Sequence, residues 1–127
     1  VHLGASCTID RGVSADTRIG EGTVIDNSVH IGHDTIVGKR CLFAAQVGIA
    51  GCVVIEDYVT LWGQVGVSSN VTIGSKAIIL AQSGVAKSLA GGKTYFGYPA
   101  DEARKRFREM ASVRILPKII EQLTINE

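Results

Sequence analysis

Proline is nearly absent, with Pro99 and Pro117 its only occurrences in 127 residues. Fifteen glycines accompany them. Glycine without proline does not describe a linker; it points to tight turns inside a folded domain. An excess of one charge is lacking as well. The formal net charge of +1 argues against nucleic-acid binding and against a strongly basic membrane surface. Cysteine pairs are missing: Cys7, Cys41 and Cys52 form no CxxC and no zinc spacing, so they read as small residues of a reducing compartment. No signal peptide stands at the start. The longest mostly apolar run, Cys41 to Ile55, is broken by Gln46 and is too short to span a bilayer. The opening "VHLG" has no start methionine and already lies inside a repeat, which suggests a fragment or a processed product. The chain suffices for one domain but is marginal for a large core of its own.

What is present is a strict period of six. From Val13, each sixth residue is apolar: Ile19, Ile25, Ile31, Val37, Phe43, Ile49, Ile55, Leu61, Val67, Ile73, Ile79 and Val85. The residue four places after each is small or β-branched, from Thr17 to Ser83. Leu3 and Ile9 join the pattern after a four-residue slip at "IDRG". Six suits neither an α-helix nor a long strand. It suits short strands joined by sharp turns, three hexads to a triangular coil, stacked as a parallel β-solenoid.

After Val85 the hexads stop. The reading divides the chain into a solenoid over 1–88, a Gly-rich loop over 89–100 and a helical extension over 101–127. Asp101 looks like a helix start, and Pro117 should split the extension into helices at about 101–114 and 117–124.

In a solenoid, residues 18 apart stack at a spacing of about 4.8 Å. Gln46, Gln64 and Gln82 then form an amide ladder. Gly48, Gly66 and Gly84 lie under His30. Ala50, Ser68 and Ala86 lie under Gly32, while Gly51 and Ser69 lie under His33. One corner of the prism is then stripped of side chains for three coils, roughly 14 Å. It reads either as relief of crowding at a tight corner or as a groove for an extended acyl chain on the order of ten carbons. Trp62 and the column Val24, Leu42, Thr60 and Ile78 point outward, with Ile36 and Val54. So much apolar surface predicts a subunit interface.

Histidine is the side chain suited to taking a proton near neutral pH. His2 is set aside as a surface residue. His33, at the turn, is preferred over His30 as a general base facing a neighbour or ligand. A metal site is not expected, because the pair has no further ligand cluster.

The ordered set "TIDRG", "IDNSVHIGHD", "QVGIAG", "QVGV", "QSGV" and "GYPA" resembles the UDP-3-O-(3-hydroxyacyl)glucosamine N-acyltransferases of lipid A (lipopolysaccharide) biosynthesis. The resemblance runs from about Leu3 to Pro99 and less specifically through the tail. It implies a left-handed parallel β-helix, a hand opposite to the usual preference for right-handed crossovers, and a homotrimer. It also implies transfer of a 3-hydroxyacyl chain from acyl carrier protein to the 2-amino group of a UDP-3-O-acylglucosamine.

His33 occupies the family's general-base position, and the backbone N–H of Gly51 its oxyanion donor. Asp34 would orient or charge-stabilise the imidazole. Asp26, Asn27 and His30 fall where substrate would be held, though Asp26 and Asn27 serve equally as turn residues. Arg11 falls near the nucleotide phosphates. Many members have a second histidine where this chain has Asn70. Arg104, Lys105 and Arg108, in a basic tail, would dock the acidic carrier protein.

The donor rides on the carrier's phosphopantetheine, so no resident cofactor is expected. The resemblance implies a place in the bacterial cytoplasm, free or peripheral to the inner membrane. The family's uridine-binding domain is expected to be missing from this chain, which alone should then bind nucleotide-sugar poorly. Two rivals remain: a nucleotide-sugar N-acetyltransferase using acetyl-CoA, and an inactive structural solenoid.

Overall fold

A computed structural model describes residues 1–126; the expected helical extension ends one residue beyond. The hexads form a three-sided parallel β-helix of two-residue strands. Three faces run its length. The first carries His2–Leu3, Val24–Ile25, Leu42–Phe43, Thr60–Leu61, Ile78–Ile79, Thr94–Phe96 and Asp101–Glu102. The second carries Thr8–Ile9, His30–Ile31, Gly48–Ile49, Gly66–Val67 and Gly84–Val85. The third carries Arg18–Ile19, Ile36–Val37, Val54–Ile55 and Thr72–Ile73.

Register is the 18-residue step: His30 pairs with Gly48, Gly48 with Gly66 and Gly66 with Gly84. The first coil is longer. His2 pairs with Val24 and Thr8 with His30, steps of 22 residues that absorb the four-residue slip in a loop.

Below the first coil, where Leu3 and Ile9 stay exposed at the open end, the second residue of each hexad strand points inward. Ile25, Ile31, Phe43, Ile49, Leu61 and Ile79 are all buried in one continuous core. Burying side chains of this size contributes about 1.5–3 kcal/mol each. The small residues between them are buried too, including Thr23 and Thr35. Their hydroxyls donate to the carbonyls of Gly38 and Ala50, so neither is left unpaired. Val13 departs from its hexad. It lies in the slip loop and is 78% exposed, because the added residues lift the loop off the core.

The turns were expected to be glycine's task. The structure assigns that task elsewhere. Positive φ recurs every six residues from Gly22, but Ser28, Asp34, Arg40, Gln46, Cys52, Tyr58, Gln64, Asn70, Lys76 and Gln82 adopt it without being glycine. Gly32 serves close approach instead: a Cβ there would lie 2.6 Å from the carbonyl carbon of Ala50 in the next coil. The left-handed turns are tied by interstrand bonds, including the expected ladder of Gln64 on Gln46 at 2.6 Å and Gln82 on Gln64 at 2.9 Å.

The C-terminal segment corrects three expectations. The stretch 89–100 is not simply a loop: Thr94–Phe96 adds a parallel strand beside Ile78–Ile79. Asp101 does not start a helix but pairs antiparallel with Phe96, and its carboxylate binds Lys105 instead. A single helix, Ala103–Ile125, replaces the two expected, and Pro117 lies inside it. Proline removes one N–H···O bond and crowds the preceding turn. Helical residues on both sides keep the remaining bonds, so the helix propagates through it. Only Ala103 of this helix is buried, and Phe107 packs on Phe96 with ring centroids 5.2 Å apart.

Candidate active site

The site stands at the corner between the second and third faces, where Gly32 to Thr35 turn the chain. His33 Nδ1 lies 2.9 Å from Asp34 Oδ2. Asp34 is itself over-determined. Its Oδ1 accepts the backbone N–H groups of Val13, Ser14 and Ala15 at 2.9, 3.0 and 2.8 Å, and its own N–H donates to Thr17 Oγ1. These bonds, that of Ala15 foremost and then that of His33, hold the carboxyl far below the usual carboxylate range. An ionised Asp34 only accepts, so the proton in its contact with His33 belongs to Nδ1. In the neutral imidazole Nε2 then carries the lone pair, the form a general base requires.

Nε2 lies directly over Gly51, one coil down. A Cβ on Gly51 would meet it at 2.5 Å. The Gly51 N–H donates to no acceptor among the described residues. Some equivalent N–H groups are capped, Ala5 by Asn27 Oδ1, Lys39 by Asp57 Oδ1 and Ser75 by Glu56 Oε1, while among the described residues those of Ala45, Gly63 and Ser69 are not; what sets Gly51 apart is the imidazole above it. The corner beneath His33 therefore keeps a free donor beside a free acceptor. That pairing can accept a proton from a nucleophile and stabilise the oxyanion it generates.

His30 is placed differently. Its Nδ1 is 2.7 Å from Thr8 Oγ1 and its Nε2 is 3.6 Å from Asp10 Oδ2. Both nitrogens face partners in the slip coil, so His30 bounds the site and leaves the base role to His33. Thr8 and Asp10 went unread in the sequence because the slip breaks the 18-residue step that would have aligned them.

Down the second face runs a cavity of about 400 Å³, lined by His30, Gly48, Ile49, Ala50, Gly66, Val67, Ser68, Gly84, Val85 and Tyr98. Five of the six expected groove residues line it. Ala86 does not; it is exposed beyond the cavity's end. The missing side chains of Gly48 and Gly66 face open space, but a Cβ on Gly84 would strike the Tyr98 ring. The groove is therefore shorter than three open coils, closed at Gly84 by a residue that lies outside the hexads.

The remaining expected residues scatter. Asn70 has positive φ on the His33 corner, two coils below Asp34 in the column Asp34–Cys52–Asn70. Asp26 and Asn27 sit at the other edge of the second face, where they line a separate cavity of about 420 Å³ with Trp62. Asp26 Oδ1 accepts the Asn27 N–H and Asn27 Oδ1 accepts the Ala5 N–H, so both do the work of turn residues in the single chain. Arg11 is exposed in the slip loop. Arg104 and Arg108 are exposed on the helix, while Lys105 pairs with Asp101 at 2.8 Å.

Ligand atoms of His33, Asp34 and Cys52 lie within 4.8 Å of one another, the kind of group that can offer atoms to an ion. Both Asp34 oxygens are already engaged by N–H donors. No helix among the described residues is long and apolar enough to cross a membrane.

Residues 16–51 match the family model of the bacterial transferase hexapeptide, six repeats. The chain is 47% identical over 116 residues to the UDP-3-O-acylglucosamine N-acyltransferase of Methylobacterium sp. (strain 4-46), covering 91% of this chain and 33% of the relative. Against the enzyme of the same name from Rhodopseudomonas palustris (strain TIE-1), identity is 55% over 116 residues, covering 91% and 32%. The chain thus spans about a third of the length of the curated relatives it matches.

Among solved structures, the UDP-N-acetylglucosamine acyltransferase of Arabidopsis superposes with a TM-score of 0.74 at 32% identity, over 79% of this chain and 38% of that one. That of Francisella novicida gives 0.75 at 28%, over 80% and 41%.

Proposed function

We infer, from a chain that belongs to the hexapeptide-repeat transferases, that it is the catalytic solenoid of an N-acyltransferase acting on a UDP-3-O-acylglucosamine. The carrying observation is the free Nε2 of His33 over the uncapped N–H of Gly51, at the head of a side-chain-free groove.

The sugar's 2-amine attacks the carbonyl carbon of a 3-hydroxyacyl thioester borne by acyl carrier protein. His33 Nε2 takes the amine proton, and Asp34 stabilises the imidazolium. The N–H of Gly51 receives the tetrahedral oxyanion. Collapse breaks the C–S bond, and the imidazolium returns its proton to the departing thiolate. The acyl chain lies along Gly48 and Gly66. Arg104, Arg108 and Lys105 form the surface that steers the acidic carrier.

Val24, Leu42, Ile78 and Trp62 are each more than a third exposed on the first face. In this reading they pack against neighbouring subunits of a homotrimer. Such a ring would bring the Asp26–Asn27 corner of a neighbour within reach of a sugar. Arg11 and Asn70 would contact the nucleotide-sugar. The thioester donor places the work in the cytoplasm.

The test is acyl transfer by the intact protein with and without His33→Ala. A loss of about 10²–10⁴-fold with an unchanged fold is expected. Full turnover in the variant overturns the assignment. Supplying acetyl-CoA beside a long-chain carrier thioester separates this reading from an acetyltransferase, for which a long apolar groove has no use.

A further inference from the structure

We propose that Tyr98 sets the length of acyl chain the groove accepts, closing it at the level of Gly84. The inference rests on the acyltransferase reading and names the residue that decides its donor.

Gly48, Gly66 and Gly84 form one column, and the first two open onto empty space. The third does not, because the Tyr98 ring fills the volume that a side chain on residue 84 would take. A glycine column read from sequence predicts an open trench at Gly84; the structure fills it from another segment.

The ring is not placed by chance. Gly84 N–H donates to the Gly97 carbonyl at 3.0 Å, and the Gly84 carbonyl accepts the Ala100 N–H at 2.8 Å. Gly97 N–H donates to Ser83 Oγ at 3.1 Å, and the Arg106 guanidinium holds the Pro99 carbonyl. Backbone on both sides of Tyr98 is therefore pinned to the last hexad coil. The phenol itself is 80% exposed, so the ring is a stopper and not a core residue.

Tyr98 also lines a second cavity, of about 480 Å³, between the Phe96–Gly97 segment and the helix face bearing Met110 and Val113. One side chain thus stands between an apolar-floored groove and an apolar space beyond it. From Gly48 to Gly84 is two coil spacings, about 10 Å. Removing the ring would join the two volumes and lengthen the path by at least one spacing, about four methylenes.

The experiment uses the intact protein and a ladder of 3-hydroxyacyl carrier thioesters in two-carbon steps. Tyr98→Ala should move the preferred chain roughly four carbons longer, while Tyr98→Phe should leave it unchanged. Gly84→Met in the Tyr98→Ala background should restore the shorter preference by refilling the same space. In parallel, displacement of a fluorescent fatty acid by free 3-hydroxy acids of graded length reads the groove without turnover. An unchanged length order in both measurements for Tyr98→Ala overturns the proposal. Wild-type protein that displaces by length but transfers no chain would instead sink the acyltransferase reading and leave the stopper intact.

Discussion

Asp34 faces two ways: its Oδ2 lies 2.9 Å from His33 Nδ1, while its Oδ1 collects three consecutive N–H groups of the slip loop. One carboxylate thus anchors an insertion and sets the tautomer of the base.

Asp34→Asn should impair both functions. The lowered pKa of Asp34 means that its contribution to stability is complete above the ordinary value of 3.8 and fades as pH falls below it. The variant should therefore be less stable than wild type at neutral pH, with the gap narrowing below about pH 4. Denaturant titrations at both pH values measure this. A gap that widens in acid contradicts the assignment. Turnover should fall as well, because an amide can present its N–H to Nδ1 and hold the wrong tautomer.

Gly51→Ala places a methyl 2.5 Å from His33 Nε2. The imidazole must move, so turnover should drop by at least about tenfold. Circular dichroism should remain that of the solenoid, since the methyl meets only the exposed ring. Retained activity would show that His33 is mobile and that its overlap with Gly51 carries no function.

Phe43→Ala removes the largest fully buried side chain and should cost about 3–5 kcal/mol. Val13→Ala, at a position of the same hexad phase but exposed in the slip loop, should stay within about 0.5 kcal/mol. Equal losses at the two sites would contradict the placement of the slip.

Leu42→Lys puts a charge in the middle of the exposed column on the first face. Sedimentation should show dissociation of the proposed trimer, and a species of unchanged mass removes that face from the interface.

Arg104→Glu with Arg108→Glu should raise KM for the carrier thioester, most at low ionic strength, and leave kcat nearly unchanged. A KM insensitive to both substitution and salt places the carrier elsewhere.

Much of the architecture was legible because a hexad repeat is a local code with a long-range consequence. Once Ile31 and Ile49 are known to share a column, so do His33 and Gly51, and the groove glycines follow. The αL corners were less readable. Gln64 and Asn70 look like ordinary polar residues, yet they hold a conformation that sequence rules reserve for glycine. Interstrand bonds from neighbouring coils stabilise what local propensity disfavours. Pro117 misled for a related reason: a missing donor weakens a helix without dictating that it stop.

Sequence alone determined the solenoid, its register and the pairing of an imidazole with a glycine one coil below, because stacking is set by spacing. Only the tertiary structure decided where the groove ends, what holds His30 and why Asp34 is so acidic. Those depend on Tyr98 and the slip loop, which lie outside the repeat, and on Thr8 and Asp10, which the slip sets four residues out of step, so no 18-residue rule reaches them.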